Sequence, residues 1–456
     1  MESLSAIILA AGEGKRMKSK KSKVLHKVGG KEMIGWVYDA VQQAGIQNTI
    51  VVVGHKAEQV MEYLGDKAQF VLQKEQLGTG HAVMQAQSVL QNTEGYVIIL
   101  NGDIPLIKAE TIKQALTYHM ENHHSATVIT TQLDDAAGYG RIIRDSEGNV
   151  VRIVEDKDAN EQEKSIKEIN SGLYCFTVKS LLDSLGKLNN NNSQGEYYLT
   201  DTIEILIKDG HKVGALLVED STELLGINNR IQLSEVEAIM RKKILEKHME
   251  QGVTILDPAN TYIEAGVQIG SDTVILPGCI LEGNTTIGEN CIIGPQTNII
   301  NSVIANNVEV RNSVVTDSFI DEGTHVGPFA YLRPGSKIGK NVRIGDFVEI
   351  KNSVIGDHTK VSHLTYVGDS EVGKHVNFGC GTVTVNYDGK KKHKTIIGDN
   401  VFIGCNTNLV SPVVVNNNAY IAAGSTITEE VPEYSLAIAR SRQVIKEDWV
   451  KKRNLK

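Results

Sequence analysis

From residue 263 onward an aliphatic side chain returns at every sixth position: Ile263, Ile269, Ile275, Leu281, Ile287, Ile293 and Ile299. The frame slips by one in "NSVIAN" and "NSVVTD" and resumes at Ile320, Val326, Leu332, Ile338, Ile344 and Ile350. It returns at Ile397, Ile403, Leu409, Val415, Ile421 and Ile427. A glycine often follows the aliphatic residue, as in "IGSDTV" and "IGKNVR", and a small or β-branched residue often sits four on. A six-residue period of this length is the mark of a parallel β-helix. Each aliphatic side chain points inward and stacks on its counterpart in the next coil. Glycine and asparagine take the left-handed corners. Three hexapeptides per coil predict about nine coils for 263–430, near 45 Å at roughly 4.8 Å per strand spacing.

The first 229 residues obey another grammar. The apolar strands "SAIILAA", "NTIVVVGH" and "YVIILNGDIPLI" alternate with the helical segments "MIGWVYDAVQQAG" and "AEQVMEYLG". This pattern predicts a Rossmann-like α/β domain with a mostly parallel sheet, binding its ligands at the carboxyl ends of the strands. Residues 230–251 lack proline and glycine and carry Leu233, Val236, Ile239, Met240, Ile244 and Leu245 at helical spacing, with Gly252 and Pro258 as stop signals. The expected organisation is an α/β domain over 1–229, a long linker helix over 230–251, and a left-handed parallel β-helix domain with a C-terminal tail over 252–456.

The totals narrow the function. A formal charge of −8 argues against a nucleic-acid binder. No apolar run approaches the roughly 20 residues of a membrane span, and "LSAIILAAG" is too short, and too poor in preceding basic residues, for a secretory leader. Cys175, Cys279, Cys291, Cys380 and Cys405 show no paired spacing, which fits a reducing cytoplasm.

Against that acidic total, "AGEGKRMKSKKSKVL" (11–25) sets two glycines against six basic side chains. A basic run alone is most often a solvated face. Behind a strand and a glycine turn it suits a nucleoside triphosphate. Glycines let backbone N–H groups approach phosphate oxygens, and Arg16 and Lys23 can neutralise charge building on a leaving pyrophosphate. No Gly-Lys-Ser/Thr follows, and Met17 occupies the third glycine position of a dinucleotide fingerprint. Asp103 ends the strand "YVIIL"; taken alone it is a cap or turn residue as readily as a ligand.

"LAAGEGKRM" with Lys23 resembles the signature of sugar-1-phosphate nucleotidyltransferases, with Lys15 where the family usually has threonine. "QLGTGHAV", "NGDIPL", "GYGRII", "VEDKDA", "EINSGLY" and "GINNR" follow in the family's order. With the hexapeptide segment, the whole chain resembles the bacterial bifunctional N-acetylglucosamine-1-phosphate uridyltransferases/glucosamine-1-phosphate acetyltransferases. The resemblance implies uridyl transfer from UTP in the first domain, with Asp103 and Asn228 holding Mg²⁺. Leu9, Ala10, Ala11, Gly12 and Lys23 would line the nucleotide, and Gln73, Gly78 and Thr79 would read the uracil. Gly140, Glu155 and Asn170 would contact the sugar, although from its own sequence Gly140 reads simply as a turn.

For the second domain the resemblance implies acetyl transfer from acetyl-CoA to glucosamine 1-phosphate. His363, in "HLTYVGD", would be the general base, and Arg333, Lys351, Tyr366 and Asn377 would hold the sugar phosphate. Asn386 and Tyr387 would contact acetyl-CoA from the frame-breaking segment "VNYDGKKKHKT" (385–395), as would Cys380, Cys405, Ala423 and Arg440. The cysteines would contribute backbone rather than thiol. A homotrimer with shared acetyl sites is implied as well. One rival reading is a single-activity sugar-1-phosphate nucleotidyltransferase whose β-helix is structural or regulatory; another is a scaffold with both folds and no catalysis.

Overall fold

The computed structural model describes residues 3–455, which divide into two compact units after Met240. The helix Arg230–Glu250 spans that division.

The first unit is built on a sheet with the strand order Val213–Leu217, Ala126–Gln132, Glu168–Thr177, Gly95–Asn101, Ser3–Ala10, Asn48–Val53, Gln69–Leu72. The central strands are apolar on both faces because both faces are covered. Ile8, Val51 and Leu100 enter one core, while Ile7, Val52 and Ile99 enter the other. The sheet is more mixed than the sequence predicts. Among the described residues four strand pairings are parallel and four are antiparallel. The physical reason lies at Glu168–Thr177. It is reached through the hairpin Arg141–Arg144/Val150–Val154 instead of a helical crossover, and it pairs antiparallel with both neighbours. The carboxyl ends of Ser3–Ala10 and Gly95–Asn101 remain side by side, with Leu9 opposite Asn101. There the glycine loop and Asp103 emerge.

The second unit contains three parallel sheets of eleven, ten and nine strands, the three faces of a left-handed β-helix. Ile344, Val361, Phe378, Ile403 and Ile421 stack in register on one face, each at most 3% exposed. Between Ile299 and Ile320 the frame slips are five-residue steps, Ile299 to Ile304, Val310 to Val315 and Val315 to Ile320, and all of these residues stay buried. Asparagine holds many left-handed corners, among them Asn290, Asn301, Asn312, Asn341, Asn352 and Asn406, where its short polar side chain tolerates that backbone. "VNYDGKKKHKT" leaves the coil after Val385, closes a small hairpin at the Tyr387–Lys392 bridge, and rejoins at Thr395–Ile397. Among the described residues no helix is long and apolar enough to cross a membrane.

Candidate active sites

In the first unit two adjoining cavities, of about 570 and 350 Å³, share Leu9, Thr79, Asn101 and Asp103 in their walls. Leu9, Ala10, Ala11, Gly12, Lys23, Gln73, Gly78 and Thr79 line the larger. Arg16, Gly140, Glu155, Asn170 and Asn228 line the smaller. Residues separated by more than 200 positions thus meet around the ends of two parallel strands.

The loop geometry explains its glycines individually. Gly14 takes φ 61°, and a Cβ there would lie 2.8 Å from Lys23 Cβ. Gly12 needs no left-handed backbone, and a Cβ on it would meet no atom within 4 Å. Backbone strain therefore does not call for glycine at position 12; its bare main chain leaves room for the close approach of a ligand. Lys15 lines the larger cavity and pairs with Glu13 at 2.5 Å, an exposed pair worth little to stability.

Where the cavities meet, Lys23 forms an ion pair with Asp103 and donates from Nζ to Asn228 Oδ1 at 3.1 Å. One carboxylate and one amide oxygen thus converge on a cation. Such hard, sparse donors suit Mg²⁺, which keeps several waters and shares substrate phosphates. No group of three or more His, Cys, Asp or Glu among the described residues clusters as a metal cage, so an ion held by Asp103 and Asn228 would complete its shell with water or substrate oxygens. Gln73 is 3% exposed and donates to the Gly78 carbonyl at 3.1 Å, which fixes the amide against the Gly78 turn. Burial raises the Glu155 carboxyl above its ordinary range while the Thr200 hydroxyl donates to it at 3.2 Å. Asn170 donates to Tyr174 Oη at 2.6 Å, and its backbone N–H donates to Gly140 O at 2.8 Å. Gly140 is therefore part of the wall packed on Asn170, beyond the simple turn its sequence suggests. Asn101 and Tyr139 also line this region and are absent from the sequence expectation. Asn101, a polar residue closing an apolar strand, was the available signal.

In the β-helix, Leu364, Gly381, Asn406 and Gly424 occupy left-handed corners of four successive coils. They are chained by Gly381 N to Leu364 O at 3.1 Å, Asn406 N to Cys380 O at 2.8 Å and Gly424 N to Cys405 O at 2.8 Å. The residues just before these corners, His363, Cys380, Cys405 and Ala423, consequently share one edge. Arg440 reaches the same edge, since a Cβ on Gly424 would lie 3.6 Å from Arg440 Cδ. His363 Nδ1 is 2.6 Å from Oδ1 of Asp346, its register partner one coil below. This contact holds the Asp346 carboxyl below its usual range. Sequence reasoning missed Asp346, and the 17-residue offset of one shortened coil was the signal that placed it.

The adjoining face carries Tyr366, with Arg333 and Lys351 at its far side. Arg333 pairs with Glu349 at 2.7 Å. The Lys392 ammonium, brought in by the hairpin, sits beside Lys351 and holds its pKa below the usual lysine value. Arg333, Lys351 and Lys392 thus concentrate positive charge, and Lys392 is a second residue the sequence reading missed. Asn386 is 7% exposed and donates to Asp369 at 2.5 Å, while Tyr387 stands exposed on the hairpin. Asn377 does not join this group within one chain. It lies on a different face, in register between Lys360 and Phe402.

Comparison with known proteins agrees with both halves. Residues 5–224 match the nucleotidyl transferase family, and residues 266–301, 317–352 and 394–429 match the bacterial transferase hexapeptide family. The chain is 64% identical over 455 residues to the bifunctional protein GlmU of Acetivibrio thermocellus, covering 100% of this chain and 99% of that one. It is 59% identical over 451 residues to that of Clostridium botulinum strain Kyoto, covering 99% and 98%, and 58% identical over 452 residues to that of Clostridium kluyveri, covering 99% of each. With full-length identity at that level and both domain families in place, the chain belongs to the bifunctional GlmU family of nucleotidyltransferase–acetyltransferases.

Proposed function

We infer that the chain makes UDP-N-acetylglucosamine in two steps, acetylating glucosamine 1-phosphate on the β-helix and then transferring uridylate from UTP to the product in the α/β unit. The observation that carries the second step is the convergence of Asp103, Asn228 and Lys23 where a nucleotide-sized cavity meets a sugar-sized one. A phosphate oxygen of N-acetylglucosamine 1-phosphate attacks the α-phosphorus of UTP in line, and pyrophosphate leaves. The nucleophile is already anionic, so no protein base is needed, and positioning and charge stabilisation do the work. Bound Mg²⁺, held by Asp103 and Asn228, would supply neutralising charge to the phosphates. Arg16 and Lys23 add to it from the glycine loop. Gln73, Gly78 and Thr79 orient the base, while Gly140, Glu155 and Asn170 seat the sugar.

In the acetylation step His363 removes a proton from the glucosamine amine, which attacks the acetyl-CoA thioester and expels the thiolate. Asp346 acts as a positioning residue, fixing the imidazole through Nδ1 and leaving Nε2 as base. Arg333, Lys351 and Lys392 hold the sugar phosphate. Cys380, Cys405, Ala423 and Arg440 lie along the edge that the coenzyme follows, beside Asn386 and Tyr387 of the hairpin. Because Asn377 and Tyr366 occupy different faces of one coil, a site using both needs the face of a second copy. Exposed Phe329, Phe347 and Leu364, each more than half exposed on the edge of His363, supply apolar surface for such a neighbour. On this ground we propose a homotrimer, and the free cysteines are in keeping with a reducing cytoplasm.

The test is a pair of variants assayed for both reactions. Asp103→Ala abolishes Mg²⁺-dependent uridyl transfer and leaves acetyl transfer near wild type. His363→Ala lowers acetyl transfer by about 10² to 10⁴ and spares uridyl transfer, with Asp346→Asn following it to a lesser degree. Equal loss of both activities in either variant would refute the assignment.

A further inference from the structure

The long helix is more than a joint. Its cap, Asn229, accepts from the backbone N–H groups of Ile231 and Gln232 through Oδ1, at 2.9 Å each. Its first residue, Arg230, turns back onto the glycine loop. Arg230 Nε donates to Met17 O at 3.3 Å, and Nη1 lies 3.3 Å from His26 Nδ1. An arginine can only donate, so His26 accepts as a neutral imidazole. Burial and the neighbouring Arg230, Lys21 and Lys56 charges hold its pKa below the ordinary value, in keeping with that form. Two further bonds come from the same helix. Gln232 Oε1 accepts from Asn228 N at 2.8 Å, and Glu237 Oε2 accepts from Gly29 N at 2.7 Å.

These contacts fall on the segments that bear the site. Met17 is 1% exposed and anchors the loop by its side chain, while its carbonyl is gripped by Arg230. Exposed Arg16 is its immediate neighbour, and Lys23 and His26 belong to one short turn closed by His26 N to Lys23 O at 3.2 Å. Arg230 adds no counter-charge to this cationic loop; its two bonds tether Met17 and His26, the chain neighbours of Arg16 and Lys23, to a helix end.

We propose that Arg230 is a positioning residue for uridyl transfer, acting through Met17 O and His26 Nδ1 to hold Arg16 and Lys23 at the triphosphate. The inference rests on the uridyl-transfer reading of this loop. Arg230 touches no reacting atom, so its loss loosens the geometry that the leaving pyrophosphate needs more than it weakens UTP binding.

The test uses the full-length chain and measures both activities. Arg230→Ala lowers kcat for uridyl transfer by about tenfold or more, with KM for UTP changed less than about threefold and acetyl transfer unchanged; a 1 Å misplacement of catalytic groups can cost as much as 10²-fold. Arg230→Lys restores part of kcat, since one ammonium can reach Met17 O but not both acceptors. A wild-type kcat in Arg230→Ala overturns the proposal. So does equal loss of both activities, which would make Arg230 a residue of the fold. Lys23→Ala is the control: if it also keeps full uridyl transfer, the reading of the loop itself has failed, not the brace alone.

Discussion

Gly12→Ala separates folding from chemistry at one position. The backbone there lies outside the left-handed region and a Cβ would contact nothing within 4 Å. Replacing glycine by alanine at such a site should stabilise the first unit by about 0.4–1 kcal/mol, because the unfolded chain loses freedom. The same methyl stands in the wall of the larger cavity. A phosphate oxygen held by a backbone N–H sits about 2.9 Å away, whereas a methyl carbon keeps an oxygen at roughly 3.5 Å or more. Where the oxygen lies on the side of the added methyl, the nucleotide is displaced by up to about 1 Å. A displacement of that size costs about 10²-fold in kcat/KM for UTP, or about 2.7 kcal/mol. Pyrophosphate release in the presence of Mg²⁺ measures the rate, thermal unfolding measures stability, and acetyl transfer by the same sample is the internal standard. Kinetics within about threefold of wild type would refute the claim that Gly12 exists to admit a phosphate. Gly14→Ala gives the contrast: φ 61° and a Cβ 2.8 Å from Lys23 Cβ cost stability as well as activity.

Cys405 is exposed on the edge shared with His363 and Cys380 is half-buried, whereas Cys175, Cys279 and Cys291 are buried. N-ethylmaleimide should therefore label Cys405 first and block acetyl transfer, with acetyl-CoA protecting; inhibition that persists in Cys405→Ala would place the target elsewhere. Acid should weaken the first unit through His119, whose fully buried imidazole has its pKa lowered to about 4 by burial and then by His124. The native state thus stays neutral while the unfolded chain takes up a proton below about 6.5, so stability present above that pH is lost as it falls toward 4, by about 3 kcal/mol. Denaturant unfolding followed by Trp36 fluorescence in a Trp449→Phe background, compared with His119→Gln, checks this, and an unchanged acid slope in the variant would refute it.

The β-helix was legible because its core rule is periodic and local: a residue's inward direction is settled by its place in a six-residue frame. Even the five-residue steps at Ile304 and Val315 show in the sequence as slips. The α/β sheet was less legible. Strands such as Ser3–Ala10 and Gly95–Asn101 are uniformly apolar, so they announce burial without announcing direction. The antiparallel placement of Glu168–Thr177 follows from how the intervening hairpin packs, which no local pattern encodes.

The site residues divide along the same line. Those in a motif carry their own sequence signal, Gly12 and Lys23 in one contiguous loop and Asp103 in "NGDIPL" at the end of an apolar strand. Those that act on a neighbour across the fold carry none. Asp346 meets His363 only because one coil between them is 17 residues long, and Lys392 reaches Lys351 only because the hairpin folds back. Arg230 meets Met17 across 213 positions; "GINNR" contains it, but nothing in that motif points to the glycine loop. A residue that positions another is defined by a distance, and that distance is a property of the closed fold. The groups proposed for the chemistry can therefore be read early, and the groups that contact them across the fold become visible only once the chain has folded.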